Sequence, residues 1–110
     1  MSELKIAVIV GSTRMGRFAD HPARWVHEIA DRRPDLKVEI LDLLDFPMHF
    51  FGEERATTVE SETAERWKRT LREFDGFIFT VAEYNHAPTA VLKNAIDLGE
   101  FIHKPVAFVG

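Results

Sequence analysis

The sequence predicts an open, doubly wound α/β sheet, and three observations carry that prediction. Apolar runs of strand length, rich in Ile, Val and Phe, recur at residues 5–10, 37–42, 76–81 and 105–109. A segment with helical periodicity or helix signals separates each run from the next, which forces parallel pairing through right-handed crossovers. The first and third runs each end in a turn far more polar than the strand before it, "GSTRMGR" and "AEYNHAP".

Each element has its own signal. Lys5–Val10 is almost wholly apolar, as suits a strand buried on both faces of a parallel sheet. Phe18, Pro22, Trp25, Val26, Ile29 and Ala30 then fall on one helical face, with Asp20 as a cap and Pro34 marking the end. "KVEILD", Lys37–Asp42, is the second strand, and residues 45–58 read as loop broken by Pro47 and Gly52. Its "FPMHFF" is unusually apolar for exposed chain, which favours packing against a further segment or a second subunit. Thr57 and Glu60 match a capping box. Ala64, Trp67, Leu71 and Phe74 form the stripe of the second helix, and Gly76 opens the third strand. Pro88 is placed at the start of a third helix running to Leu98, with Gly99 as its stop. Pro105–Val109 is the fourth strand.

With the strand order 2-1-3-4, the first crossover runs one way and the next two run the other. The first helix then covers one face of the sheet, and the other two helices cover the opposite face. The fourth strand is left as a bare apolar edge, which natural proteins avoid. The expectation is a single domain over residues 1–110, truncated after the fourth strand, with a further strand and helices or a partner closing the gap.

Composition narrows the function. The chain has 110 residues, 45% hydrophobic and 29% charged, with a net charge of −4. A generally basic nucleic-acid surface is excluded. The absence of cysteine excludes disulfides, Cys-ligated zinc and thiolate chemistry. No apolar run reaches the roughly 20 residues of a membrane helix, and the chain reads as cytoplasmic. His21, His27, His49 and His103 lack metal-ligand spacing, and His86 reads as a hydrogen-bonding loop residue.

Ligands of such sheets bind beyond the carboxyl ends of the strands, where crossovers of opposite direction meet. That point lies between the first and third strands, so the two polar turns converge there. The first leads into a helix N-terminus, where backbone N–H groups favour an anion. Ser12 and Thr13 add hydroxyls, Arg14 and Arg17 add charge, and a phosphate is the natural guest. The same residues would equally serve as a helix cap with solvated arginines; the loop alone leaves both readings open. Arg17 and Phe18 stand where a P-loop needs Lys and Ser/Thr, and Thr13 and Met15 break the dinucleotide fingerprint. The second turn offers Tyr84 as a flat face and Asn85 as donor and acceptor, suited to the edge of a planar heterocycle.

"GSTRMGR" and "AEYNHAPTAVLKNAID" together resemble the NAD(P)H-dependent FMN reductases, the flavodoxin-like group that includes quinone, azo-dye and chromate reductases. The likeness runs in order along nearly the whole chain. Ala82 departs from the family's usual Pro and Leu98 from its usual Trp. The chain also stops before the family's later glycine-rich loop. The resemblance implies a flavodoxin-like sheet of order 2-1-3-4(-5). It implies FMN bound through its phosphate by Ser12, Thr13, Arg14 and Arg17, with Ala82, Glu83, Tyr84 and Asn85 along the ring. It further implies NAD(P)H as co-substrate, a small-molecule acceptor, and a homodimer or homotetramer. It implies neither a catalytic side chain nor a metal, and it makes Lys93, Asn94 and Asp97 structural or interface residues. A flavodoxin-type electron carrier is the alternative.

Overall fold

Four strands lie parallel in one sheet, and the order in which they pair positions everything else. A computed structural model of the chain describes residues 3–17, 20–53, 55, 57–81, 83–84 and 87–110; for residues 83–84 and 87–88 it describes the backbone alone. The elements are β1 (Leu4–Val10), α1 (Asp20–Asp31), β2 (Leu36–Asp42), a 3-10 turn (Leu43–Asp45), α2 (Thr58–Arg72), β3 (Gly76–Thr80), β4 (Glu83–Tyr84), β5 (Ala87–Pro88), α3 (Ala90–Leu98) and β6 (Val106–Val109). The sheet order is β2-β1-β3-β6, which is the predicted 2-1-3-4, and every neighbouring pair is parallel.

The handedness argument holds for the faces. Val8 and Val10 of β1 pack with Ala23 and Val26 of α1 and Val38 of β2 on one side. Ala7 and Ile9 pack with Trp67 and Leu71 of α2, Phe77 and Phe79 of β3, and Leu92 and Ala95 of α3 on the other. Alternate residues of β1 thus feed two separate cores, and Ala7 to Ile9 are fully buried. β6 is the exposed edge that the topology predicts, with Phe108 63% exposed although its ring stacks on Phe79.

Local signals set most element ends. The capping box forms as read: the Thr57 hydroxyl accepts from the Glu60 N–H, and the Glu60 carboxylate accepts from the Thr57 N–H. Ala64, Trp67 and Leu71 are buried along α2, and Phe74 is buried just after it. Three readings shift. α1 buries Ala23 and Val26, whereas Trp25 and Ile29 are 60% and 45% exposed. A short helix crossing only two strands presents a narrow face to the sheet, and small residues fit it best. Phe18, also placed on that stripe, lies outside the described residues. Asp20 is the first residue of α1 instead of its cap. Pro88 belongs to β5, and Thr89 caps α3 by accepting from the Leu92 N–H.

Candidate functional site

The site is built where β1 and β3 end side by side. Val10 stands opposite Thr80 in the sheet register, so the residues after each strand emerge as neighbours. Gly11 sits at the seam. Its N–H donates to the Thr80 hydroxyl at 3.1 Å, and that hydroxyl donates to the Ile9 carbonyl at 3.2 Å. The Gly11 carbonyl accepts from the Thr89 hydroxyl at 2.5 Å. Two buried threonines, one before the second turn and one after it, therefore hold the first residue of the first turn. A Cβ on Gly11 would overlap the Thr80 carbonyl oxygen, so only glycine allows this approach.

The second turn is more ordered than a loop. β4 and β5 pair antiparallel, with Glu83 opposite Pro88 and Tyr84 opposite Ala87, as a separate two-stranded sheet that follows β3 in the chain. Ala82, Asn85 and His86 lie outside the described residues. At the level of backbone the two turns converge as expected.

Within the first turn, Ser12 is buried and its hydroxyl accepts from the Arg14 N–H at 3.2 Å. Thr13 is half-buried and Arg14 is exposed. Gly16 takes a φ of 70°, and the Arg17 N–H closes a turn onto the Arg14 carbonyl at 3.1 Å. Arg17 points inward, with its side chain 8% exposed. Its guanidinium donates to both carboxylate oxygens of Asp42 at 2.8 and 2.5 Å, to both of Asp20 at 3.2 and 2.9 Å, and to the Ser12 carbonyl at 2.6 Å. Sequence reading passed over Asp42. The signal was available in the strand order, because Asp42 ends β2 beside Val10 at the end of β1.

Arg17 holds the Asp42 carboxyl below the usual carboxylate range, chiefly by its hydrogen bonds. The opposing carboxylates raise the Arg17 guanidinium in turn, so it stays charged at every accessible pH. A carboxyl lowered by folding contributes stability above its unfolded value of about 3.9 and loses it as pH falls through the folded value. Wild type should therefore exceed Asp42→Asn in stability by a constant margin near neutrality. The margin should shrink only in acid below about pH 4. Urea midpoints across that range check this, and a margin that vanishes already near pH 6 would refute the pairing.

Asp42 also anchors the chain just beyond β2. Its carboxylate accepts from the Leu44 N–H at 3.0 Å and caps the 3-10 turn. Asn94 of α3 then clamps the apolar segment, donating to the His49 carbonyl at 2.9 Å and accepting from the Phe51 N–H at 2.8 Å. Lys93 pairs with Asp97 at 2.6 Å along the same helix. Phe46 is buried against Trp67, while Phe50 and Phe51 are 67% and 66% exposed. An open cavity of about 350 Å3 lies between this segment, Thr13 and the start of α3, within the range of small-ligand pockets. Its walls are apolar apart from Thr13 and Asn94, which suits a largely apolar ligand. Among the described residues no cluster of His, Asp or Glu could hold a metal ion, and no helix is long and apolar enough to cross a membrane.

Comparison with known proteins agrees with this architecture. An NAD(P)H-dependent FMN reductase of Nectria, ntnL, is 33% identical over 116 residues, covering 96% of this chain and 58% of the relative. A quinone reductase of Pseudomonas putida is 33% identical over 94 residues, covering 86% of this chain and 48% of its own length. The chain thus spans about half the length of the curated relatives it matches. The fold is shared with a flavoenzyme NAD(P)H:(acceptor) oxidoreductase, FerB, of Paracoccus denitrificans. That match has a TM-score of 0.73 at 24% identity and covers 97% of this chain and 60% of that one. The profile of the NADPH-dependent FMN reductases matches residues 4–110. The chain belongs to the NADPH-dependent FMN reductase family.

Proposed function

We propose that this chain forms the flavodoxin-like FMN-binding domain of an NAD(P)H-dependent oxidoreductase that reduces small-molecule acceptors. Quinones, azo compounds, metal oxyanions and free flavins are the acceptor classes. The observation that carries the reading is the seam at Gly11, where a hydroxyl- and arginine-bearing turn is bonded to Thr80 and Thr89, the threonines that flank the β4–β5 hairpin, at the switch point of the sheet. The donor set fits the cofactor. Hydroxyls, a guanidinium and backbone N–H groups suit a phosphate without a metal, and the apolar cavity beside Thr13 suits a ring.

The proposed contacts are Ser12, Thr13 and Arg14 toward the phosphate, and Ala82, Glu83, Tyr84 and Asn85 along the ring. Arg17 belongs to the site through the turn it braces. Bound FMN supplies the chemistry itself, accepting a hydride from the nicotinamide and passing electrons on. The protein binds, orients and shields, and no side chain is assigned as acid, base or nucleophile. NAD(P)H is the co-substrate. The proposed setting is the cytoplasm, in a homodimer or homotetramer, supported by the exposed Phe50 and Phe51.

The purified chain should carry a yellow flavin whose mass is that of FMN, and it should oxidise NAD(P)H when a quinone is added. Flavin without NAD(P)H oxidation would favour the carrier reading, and a colourless protein that cannot be reconstituted would reject both. Arg14→Ala should weaken FMN by about 1.5–3 kcal/mol, roughly ten- to a hundredfold in Kd. Riboflavin, which lacks the phosphate, should bind the variant and wild type alike in fluorescence titrations. Equal losses for the two flavins would contradict the phosphate assignment.

A further inference from the structure

We propose that Asp42 and Asp20 are positioning residues for the anion-holding turn, acting through Arg17. This rests on the FMN reading above and assigns work to residues outside the proposed cofactor contacts.

A guanidinium has five N–H donors. Those of Arg17 are matched one for one by five acceptor atoms: the two carboxylate oxygens of Asp20, the two of Asp42 and the carbonyl of Ser12. No donor remains for a phosphate. The charge count points the same way. One cation is flanked by two carboxylates, so the cluster carries a net negative charge beside a turn that is to hold an anion. Coulombic attraction alone would select against that arrangement, whereas geometric control accounts for it.

The control is specific. Arg17 grips the Ser12 carbonyl, and in a planar trans peptide the N–H of the next residue points the opposite way. Fixing that carbonyl therefore aims the Thr13 N–H. Ser12 in turn accepts from the Arg14 N–H, and the Arg17 N–H closes onto the Arg14 carbonyl. Three successive peptides are each held by a hydrogen bond, the first by the Arg17 side chain, the second by the Ser12 hydroxyl and the third by the Arg17 backbone N–H. Asp42 ties that side chain to the end of β2 and Asp20 ties it to the start of α1, so the turn is referenced to the sheet and to the helix together.

The sign of one substitution separates positioning from charge. Asp42→Asn removes a negative charge near the bound phosphate, so a purely electrostatic role predicts tighter FMN. Its amide also presents a donor to a guanidinium that needs an acceptor, so positioning predicts weaker FMN, by roughly ten- to a hundredfold. Riboflavin affinity should stay unchanged. Arg17→Lys keeps the charge but lacks the fork, and should lose FMN affinity similarly. Combining the two should cost no more than either alone, since both act through one contact set. Asp20→Asn leaves the Asp42 fork in place and gives a milder loss in the same direction, which keeps the test open should the Asp42 variant fold poorly.

Fluorescence titrations of the whole chain with FMN and with riboflavin, beside thermal unfolding, decide it. Tighter FMN in Asp42→Asn, wild-type FMN affinity in Arg17→Lys, or equal loss of both flavins in the variants overturns the inference while the phosphate reading stands. A wild-type chain that binds FMN no better than riboflavin overturns the phosphate reading and this inference together.

Discussion

Gly11→Ala is expected to lose about 3 kcal/mol of stability, the upper end of overpacking costs, and flavin affinity with it. The added Cβ would fall on the Thr80 carbonyl oxygen, a backbone atom that the β3 ladder holds in place. The nearest side-chain atom, Leu92 Cδ2 at 3.2 Å, could yield slightly, but the carbonyl cannot. Relief therefore requires β1 and β3 to separate at their carboxyl ends, where Thr80 and Thr89 tie Gly11. That separation would pull the first turn away from the β4–β5 hairpin. Gly16→Ala is the natural comparison. Nothing lies within 4 Å of its Cβ position, and its cost is only the strain of a φ of 70°, about 1–2 kcal/mol. Urea unfolding of both variants checks the contrast. Near-wild-type stability in Gly11→Ala would show that the strand ends lie farther apart than described.

Trp67→Ala should cost about 3–5 kcal/mol, as large buried aromatics typically do, from a total that for most domains is only about 5–15 kcal/mol. Trp67 is fully buried in the larger core and meets Phe46 edge-on with ring centroids 4.9 Å apart. Its indole N–H also donates to the Ala95 carbonyl at 2.9 Å. Ala95 lies in the last turn of α3, where the Gly99 N–H bonds instead to Ile96, so the indole satisfies a carbonyl the helix leaves behind. Trp67→Phe should therefore still lose about 1–3 kcal/mol, from that unsatisfied carbonyl. Because Phe46 begins the apolar segment that Asn94 clamps, the alanine variant should also loosen the cavity beside Thr13. Denaturant midpoints for the pair give the size of each contribution. A phenylalanine variant as stable as wild type would show that the indole bond adds nothing.

The sheet was legible because its signals are local. Four apolar runs, a capping box at Thr57 and Glu60, and a stop signal at Pro34 each act within a few residues. Handedness rules then convert element order into faces, which is why α1 alone covers its side of the sheet. The meeting of the two turns came from the strand order without any knowledge of side-chain contacts. Three details were not legible, each for a physical reason. The hairpin β4–β5 is too short to carry a periodic pattern. The buried face of α1 passes over Trp25, because burial depends on how the helix rolls on the sheet and not on apolar spacing alone. One partner of Arg17, Asp42, is decided by where β2 ends, 25 residues away in sequence, and an arginine in a hydroxyl-bearing turn looks the same on paper whether it faces a phosphate or two aspartates. Composition and order determined which turns form the site. Only the packing of β2 against β1 brings Asp42 to Arg17, because the two donors that Asp42 takes up are committed once the sheet has formed, whereas the other three bond locally to Asp20 and Ser12.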